Sequence, residues 1–189
     1  MTSAREKWDR KYRERDFSPV PSRIVREYYT RAPVGRALDL ACGIGRNACF
    51  LAEKGFEVDA VDISEEGLRR FVCRHPAIHR ICQDLDTFSI RPGVYQLIIN
   101  IRFLKRRLFP ALQNGLGPGG LLIFETYLRE QDPAAANRFQ PGHLLRDGEL
   151  RHAFPALQTV VYREGSTRCA GAEVPTRKAF LIALRPPAA

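Results

Sequence analysis

Residues Arg36–Ala52, RALDLACGIGRNACFLA, decide how the rest of the chain is read. The apolar run Ala37, Leu38, Leu40, Ala41 has the character of a buried strand. A tight turn containing Gly43 and Gly45 ends it, and Ala48, Phe50 and Leu51 follow at helical spacing. Seventeen residues past Gly45, inside a second apolar run, Glu57–Ile63, stands Asp62. Strand, glycine turn, helix, strand and acid in that order form a unit that holds the adenosine end of a cofactor. The glycines let backbone and ligand approach, and the acid is placed for the two ribose hydroxyls.

Outward from this unit, apolar and amphipathic segments alternate. The pattern predicts strands near 36–41, 57–62, 78–82, 95–101 and 120–127, and helices near 45–54, 64–74 and 103–115. Ser64, followed by Glu65 and Glu66, is a helix cap with acids in the first turn. Pro110 should bend or restart its helix, and Gly115–Gly120 (GLGPGG) should stop it before the next strand. Residues 128–143 read as a loop, and Asp147–Glu149 opens a short helix. Two final strands near 157–163 and 177–184, with no helix between them, suit an antiparallel pair at the sheet edge. Residues 1–31 read as a helical cover in two parts, broken at Ser18–Pro21, with Ser22 capping the second. Residues 32–189 then form the main α/β domain, a mostly parallel sheet with covered faces.

At 189 residues the chain is long enough for one substantial core. No apolar run reaches the ~18 residues of a membrane span, and the charged stretch Arg5–Lys11 lacks a signal-peptide pattern, so a cytoplasmic location is expected. Five cysteines (Cys42, Cys49, Cys73, Cys82, Cys169), with no C-x-x-C pair and no zinc-like spacing, read as reduced structural thiols with no metal site. The net charge is +9, and with five lysines among 30 basic residues the excess is arginine. Those arginines are scattered and not interleaved with aromatics. That argues against nucleic acid and for arginines solvated all over the surface, whose charge can also help draw in an anionic small substrate.

Within the glycine turn, Asp39 sits four residues before Gly43 in the wording D-x-A-C-G-x-G. The segment Gly43–Ala48 also fits the G-x-G-x-x-A of NAD sites, but an extra negative charge there opposes a pyrophosphate. A sulfonium cofactor with an α-amino group tolerates it, which favours S-adenosylmethionine. Asp84 ends the third strand and is placed to accept from an adenine amino group, with the Leu85 backbone N–H beside it. Asn100, Ile101 and Arg102 close the fourth strand at the mouth of the expected cleft, although Asn100 could equally cap the next helix. Trp8 and Tyr12 either close over the site or simply attach the first helix. Of the histidines, His143 lies in the expected loop over the strand ends; His75, His79 and His152 read as surface or turn residues, as does Asp86. The N/D-P-P-Y motif of adenine or glutamine methylases and the Pro-Cys nucleophile of cytosine methylases are absent.

At these residues the chain resembles the class I S-adenosylmethionine-dependent methyltransferases, and more narrowly the tellurite-resistance (TehB-like) branch. The likeness runs through KWDRKY (7–12), DLACGIGRNACFL (39–51), GFEVDAVDIS (55–64), FPALQNGLGPGGLLIFETY (109–127), LLRDGELRHAF (144–154) and AFLIALRP (179–186). It implies a Rossmann-like three-layer sandwich around a seven-stranded, mostly parallel sheet with the last strand antiparallel. It implies S-adenosylmethionine as cofactor, with the methionine end held by Asp39, Gly43 and Gly45, and with Ala41, Cys42, Arg46 and Asn47 nearby. Asp62 and Ile63 would take the ribose, Asp84 and Leu85 the adenine, and Asn100 would lie beside the sulfonium, with Trp8 and Tyr12 covering. Where the branch places a His-Arg pair before the last strand, this chain has Thr167-Arg168. Arg168 and Arg102 are thus the candidates for holding a negative acceptor.

The reading is a methyltransferase for a small, soft or anionic acceptor (a thiol, a chalcogen oxyanion or similar), working as a monomer or homodimer. The competing readings are a nucleic-acid-interacting relative of such enzymes, suggested by the +9 charge, and an NAD-dependent oxidoreductase.

Overall fold

β1 (Arg36–Leu40), β2 (Glu57–Asp62), β3 (Ile78–Cys82), β4 (Tyr95–Ile101) and β5 (Leu116–Tyr127) run parallel, and β7 (Thr176–Leu184) runs antiparallel between β5 and β6 (Gln158–Thr167). The resulting seven-stranded order is β3-β2-β1-β4-β5-β7-β6. The computed structural model describes residues 3–130, 141–167 and 176–187. The helices are α1 (Ala4–Glu14), α2 (Arg23–Tyr28), α3 (Arg46–Glu53), α4 (Glu65–Arg69) and α5 (Phe109–Gly115).

The central strands are apolar on both sides because both faces are covered. On one face Leu38, Leu40, Ile98, Leu122 and Phe124 pack with Leu112 of α5 and with Leu150 and Phe154. On the other, Ala37, Val58, Ala60, Ile99 and Ile123 pack with Ile24 and Val25 of α2 and Ala48 and Leu51 of α3. The three-layer, mostly parallel arrangement expected from the sequence is therefore present, with the final antiparallel pair at one edge.

Several local expectations are corrected. The helix from Ser64 stops at Arg69 instead of continuing to 74: Ser64 does cap it through Gly67 N–H, but Phe71 leaves the helix to pack its ring onto Gly45. The segment 103–115 holds a 3-10 turn (Arg106–Leu108) and then α5, with Pro110 in the first turn where its missing N–H is harmless. The GLGPGG segment does not lie outside the sheet; β5 begins at Leu116, which pairs with Tyr95 ahead of a register shift. Ser22 makes no capping bond to α2. Its N–H donates to Asn47 Oδ1 (2.8 Å), and its hydroxyl accepts from Arg46 (2.9 Å). Nor are all the cysteines reduced thiols: Cys49 of α3 is bonded to Cys73, whereas Cys42 and Cys82 are free. Cys169 and residues 131–140 of the expected loop lie outside the described residues. Among the described residues no helix is long and apolar enough to cross a membrane.

Asp59 joins three strands of the sheet. Its carboxylate accepts two bonds from Arg36 of β1 (2.9 and 2.8 Å) and one from the Tyr95 hydroxyl of β4 (3.0 Å). Burial pushes its pKa up, but the Arg36 and Tyr95 hydrogen bonds outweigh burial and hold it below the ordinary carboxylate value. Asp59→Ala is expected to lower the unfolding free energy by about 2–3 kcal/mol in urea titration, because Tyr95 and Arg36 lose their acceptor. A carboxyl with a lowered folded pKa stabilises above the unfolded value and ceases to do so as pH falls through the folded one. The difference between wild type and Asp59→Ala should thus shrink below about pH 4.

Candidate functional site

Because β1 to β4 are parallel, their carboxyl ends meet at one edge of the sheet, and a cleft of about 510 Å³ opens there. That volume suits a single cofactor-sized ligand. Ala41 (φ 52°), just after β1, and Arg102 (φ 61°), just after β4, hold left-handed backbone without being glycine. Such conformations cost of order 1–3 kcal/mol each, and here both stand on the cleft wall.

Asp39 projects from β1 into the base of the cleft and is 1% exposed. Its Oδ2 has no hydrogen-bond partner among the described residues. Burial pushes its pKa up to about 8; the charge of Arg46 and the Ala48 N–H oppose the rise, and Asp62 adds to it. An acceptor left unpaired in the interior carries a desolvation penalty that a cationic donor would remove.

Asp62 uses both carboxylate oxygens on backbone. Oδ2 accepts from Gly43 N–H and Oδ1 from Ser64 N–H, each at 2.8 Å. It ties the turn after β1 to the turn after β2. Burial raises its pKa, against the pull of the Ser64, Gly43 and Ile63 N–H groups. An ionised carboxylate offers about four lone-pair directions, so capacity remains for hydroxyl donors.

The glycines are required here by neighbouring side chains as well as by backbone angle. A Cβ on Gly43 (φ 58°) would collide with the Tyr12 hydroxyl, and one on Gly45 (φ 71°) with the Phe71 ring. Gly45 therefore lies under Phe71 rather than on the cleft wall, a correction to the simple picture of both glycines facing a ligand.

The first helix is packed onto the start of α4 and lines one side of the cleft. Asp9 accepts from Ser64 Oγ (2.6 Å) and Glu66 N–H (3.2 Å), so α1 caps the start of α4. Arg70 donates to the carbonyls of Tyr12 and Arg15 at the end of α1. Tyr12 is buried, its ring packed at a tilt against those of Trp8 and Phe17, and both Trp8 and Tyr12 line the cleft. The contacts of Tyr12 show attachment of the first helix, and the pair's place on the cleft wall is consistent with the reading that it covers the site. Burial and the neighbouring Asp62 push the Tyr12 hydroxyl pKa up, so it stays protonated.

Of the sequence-nominated residues, the cleft also gathers Cys42, Arg46, Asn47, Ile63, Asp84, Leu85 and Arg102. Burial drives the Cys42 thiol well above its ordinary range, which makes it a poor nucleophile. Arg46 is oriented by the Val20 carbonyl (2.9 Å) and Ser22, and Asn47 by its bond from Ser22. Arg102 is exposed and makes no side-chain hydrogen bond or ion pair among the described residues. Asn100 does not reach the wall. It is 1% exposed and donates to the Phe103 carbonyl at 2.7 Å, fixing the loop that carries Arg102. Arg168 lies outside the described residues.

Sequence reasoning missed Phe17, Ser18, Phe103 and Lys105, and it set Asp86 on the surface and His143 aside; all six line the cleft. Lys105 bridges Asp84 (3.5 Å) and Asp86 at the rim, and Arg107 joins them. An Asp-x-Asp facing a Lys-x-Arg was the available signal for that rim.

A family model described as a methyltransferase domain matches residues 10–159. YqeM of Bacillus subtilis is 33% identical over 105 residues, 49% of this chain and 42% of that protein. The malonyl-(acyl-carrier protein) O-methyltransferase of Salmonella typhimurium is 25% identical over 142 residues, 69% of this chain and 57% of its own length. The chain thus matches about half the length of these curated relatives. The crystal structure of TehB from Haemophilus influenzae superposes with a TM-score of 0.71 at 16% identity, over 96% of this chain and 66% of that one, a likeness of fold.

The packing around the turn separates the two glycines. Gly45→Ala is expected to lower stability by about 2–4 kcal/mol, from left-handed strain plus displacement of a packed ring. Gly43→Ala should be milder, because α1 can lift, and should shift the emission of Trp8. Urea titration with fluorescence distinguishes them; equal losses with unchanged Trp8 emission would contradict this account.

Proposed function

The chain belongs to the methyltransferase domain family, and from that premise we propose that it moves a methyl group from S-adenosylmethionine to a small, anionic or soft acceptor. The observation that carries the cofactor assignment is the unpartnered, buried Oδ2 of Asp39 at the base of the cleft. It suits the α-ammonium group of a methionine moiety and is a poor neighbour for a pyrophosphate, which disfavours NAD. Asp62 and Ile63 are assigned to the ribose, Asp84 and Leu85 to the adenine, and the turn Ala41–Asn47 to the methionine end.

When bound, S-adenosylmethionine supplies a methyl group already activated by its sulfonium. What remains for the chain is to align the acceptor, exclude water and balance charge, and proximity and orientation alone contribute up to ~7–11 kcal/mol. Tyr12, Trp8 and Phe17 close one side of the cleft and keep it apolar. Arg102, exposed at the mouth on a left-handed backbone, is assigned to an anionic acceptor, with Arg168 as a second cation. A thiolate or a reduced chalcogen oxyanion carries its own lone pair and needs no general base. The resemblance to the tellurite-resistance branch, most specific at Arg46-Asn47 and the DGEL segment, points to an anionic acceptor, although Thr167 stands where that branch has a histidine. Methylation of a carrier-bound carboxylate, the reaction named for the Salmonella relative, would use the same cation at the mouth.

Calorimetry with S-adenosylhomocysteine is expected to give micromolar binding, with NAD not bound. Because Asp39 is mostly protonated in the free protein at pH 7, pairing it with an ammonium should release up to one proton, seen as a buffer-dependent enthalpy. Affinity should fall by up to tenfold per pH unit as pH drops below about 8. Asp39→Asn should abolish the proton release and weaken binding at least tenfold. Arg102→Ala should raise the KM of an anionic acceptor about tenfold while leaving cofactor affinity unchanged. Binding of NAD but of neither sulfur nucleoside would overturn the proposal.

A further inference from the structure

We propose that the Cys49–Cys73 disulfide is a redox-sensitive latch that holds the covering helix α1 and the glycine turn in place. Past the end of α4, residues 70–77 form neither helix nor strand, so their position depends on individual ties to the elements around them. Four consecutive residues make them. Arg70 holds the end of α1 through the Tyr12 and Arg15 carbonyls and the Asp16 carboxylate (3.2 Å). Phe71 covers Gly45. Val72 N–H donates to the Ile44 carbonyl (3.0 Å), inside the turn that lines the cleft. Cys73 is bonded to Cys49, on the helix that starts from that same turn. The cover, the turn and the following helix therefore share one short anchor, and its single covalent tie is the disulfide.

The chemistry is thiol–disulfide exchange. The Cys73 sulfur belongs to a half-buried residue, whereas Cys49 is 5% exposed, so a dithiol attacks at Cys73. The S–S bond breaks and two electrons and two protons pass to Cys49 and Cys73. The dithiol leaves as its own disulfide.

The molecule carries its own reporter, since Trp8 is the only tryptophan and sits on α1. The test compares air-oxidised protein with protein treated with a dithiol, using Trp8 emission, S-adenosylhomocysteine affinity, and alkylation mapped by peptide mass. Alkylation of Cys49 and Cys73 only after reduction, a red shift of Trp8 and an affinity loss of about tenfold are expected. Arg70→Ala, which leaves the disulfide intact, should reproduce the red shift in oxidised protein. Alkylation of Cys49 and Cys73 without reduction, or Trp8 emission identical in both states, would overturn the latch. The affinity arm rests on the cofactor reading; absence of binding in both states would sink that reading, while Trp8 and the alkylation pattern still decide this one.

Discussion

One carboxylate organises the site. Asp62 accepts the N–H of Gly43 with one oxygen and that of Ser64 with the other, and so joins the loops leaving β1 and β2. Parallel strands alone bring those loops to the same edge, but they do not fix their distance. The two bonds do, and much else follows. Gly43 is held where Tyr12 can lie against it, and Ser64 is held where it caps α4 and meets Asp9 of α1. The cover is thereby built onto the same pair of turns that form the cleft.

The electrostatic price of this arrangement is concentrated in Asp39. Burial works against its charge, the neighbouring Asp62 works in the same direction, and Arg46 only partly compensates. Arg46 is itself weakened as a compensating charge, since burial and Arg102 both disfavour its protonated form. A cation arriving beside Asp39 meets an acceptor that nothing else in the described structure satisfies. The strained backbones of Ala41 and Arg102 stand at the two adjacent strand ends that frame this point. Strain and unmet hydrogen bonding thus coincide, as expected where folding has been compromised for binding.

What the sequence made legible was what lies within one continuous unit. Asp39, Gly43 and Asp62 are separated by fixed short spacings, and the strand–turn–helix–strand pattern leaves little freedom in where they meet. The cover was legible as a broken amphipathic segment, because Trp8 and Tyr12 share a helical face. Phe17 and His143 were not legible as cleft residues, since each reaches the cleft from a different part of the chain, and Lys105 was marked only by a Lys-x-Arg whose Asp-x-Asp partner lies some twenty residues earlier. Asn100 misled because its position at a strand end fits a ligand contact and a loop anchor equally, and only the bond to Phe103 decides between them. The end of α4 misled for a tertiary reason: Leu68, Phe71 and Val72 continue an apolar helical stripe, yet Phe71 packs on Gly45 and Val72 pairs with Ile44. The cysteine pairing could not be read from spacing, as it depends on where that departing segment goes.

The strand order has a consequence for how such a protein can change. Reading across the sheet, β3, β2 and β1 lie on one side of the crossover and β4, β5, β7 and β6 on the other. The residues assigned to the nucleoside and methionine portions come from the first group and the loops after it. Arg102, Phe103, Lys105 and His143 come from chain that follows the crossover. The two halves are joined by the β1–β4 ladder, in which the apolar pairs Ala37–Leu97 and Leu38–Ile98 lie below the level of Asp39 and Asn100. Loops of the later half can therefore diverge where they do not touch the first, the Lys105–Asp84 pair being one point at which the two halves stay coupled. One scaffold of this kind can then acquire new chemical partners by drift in a few exposed segments while its own half-site stays constant.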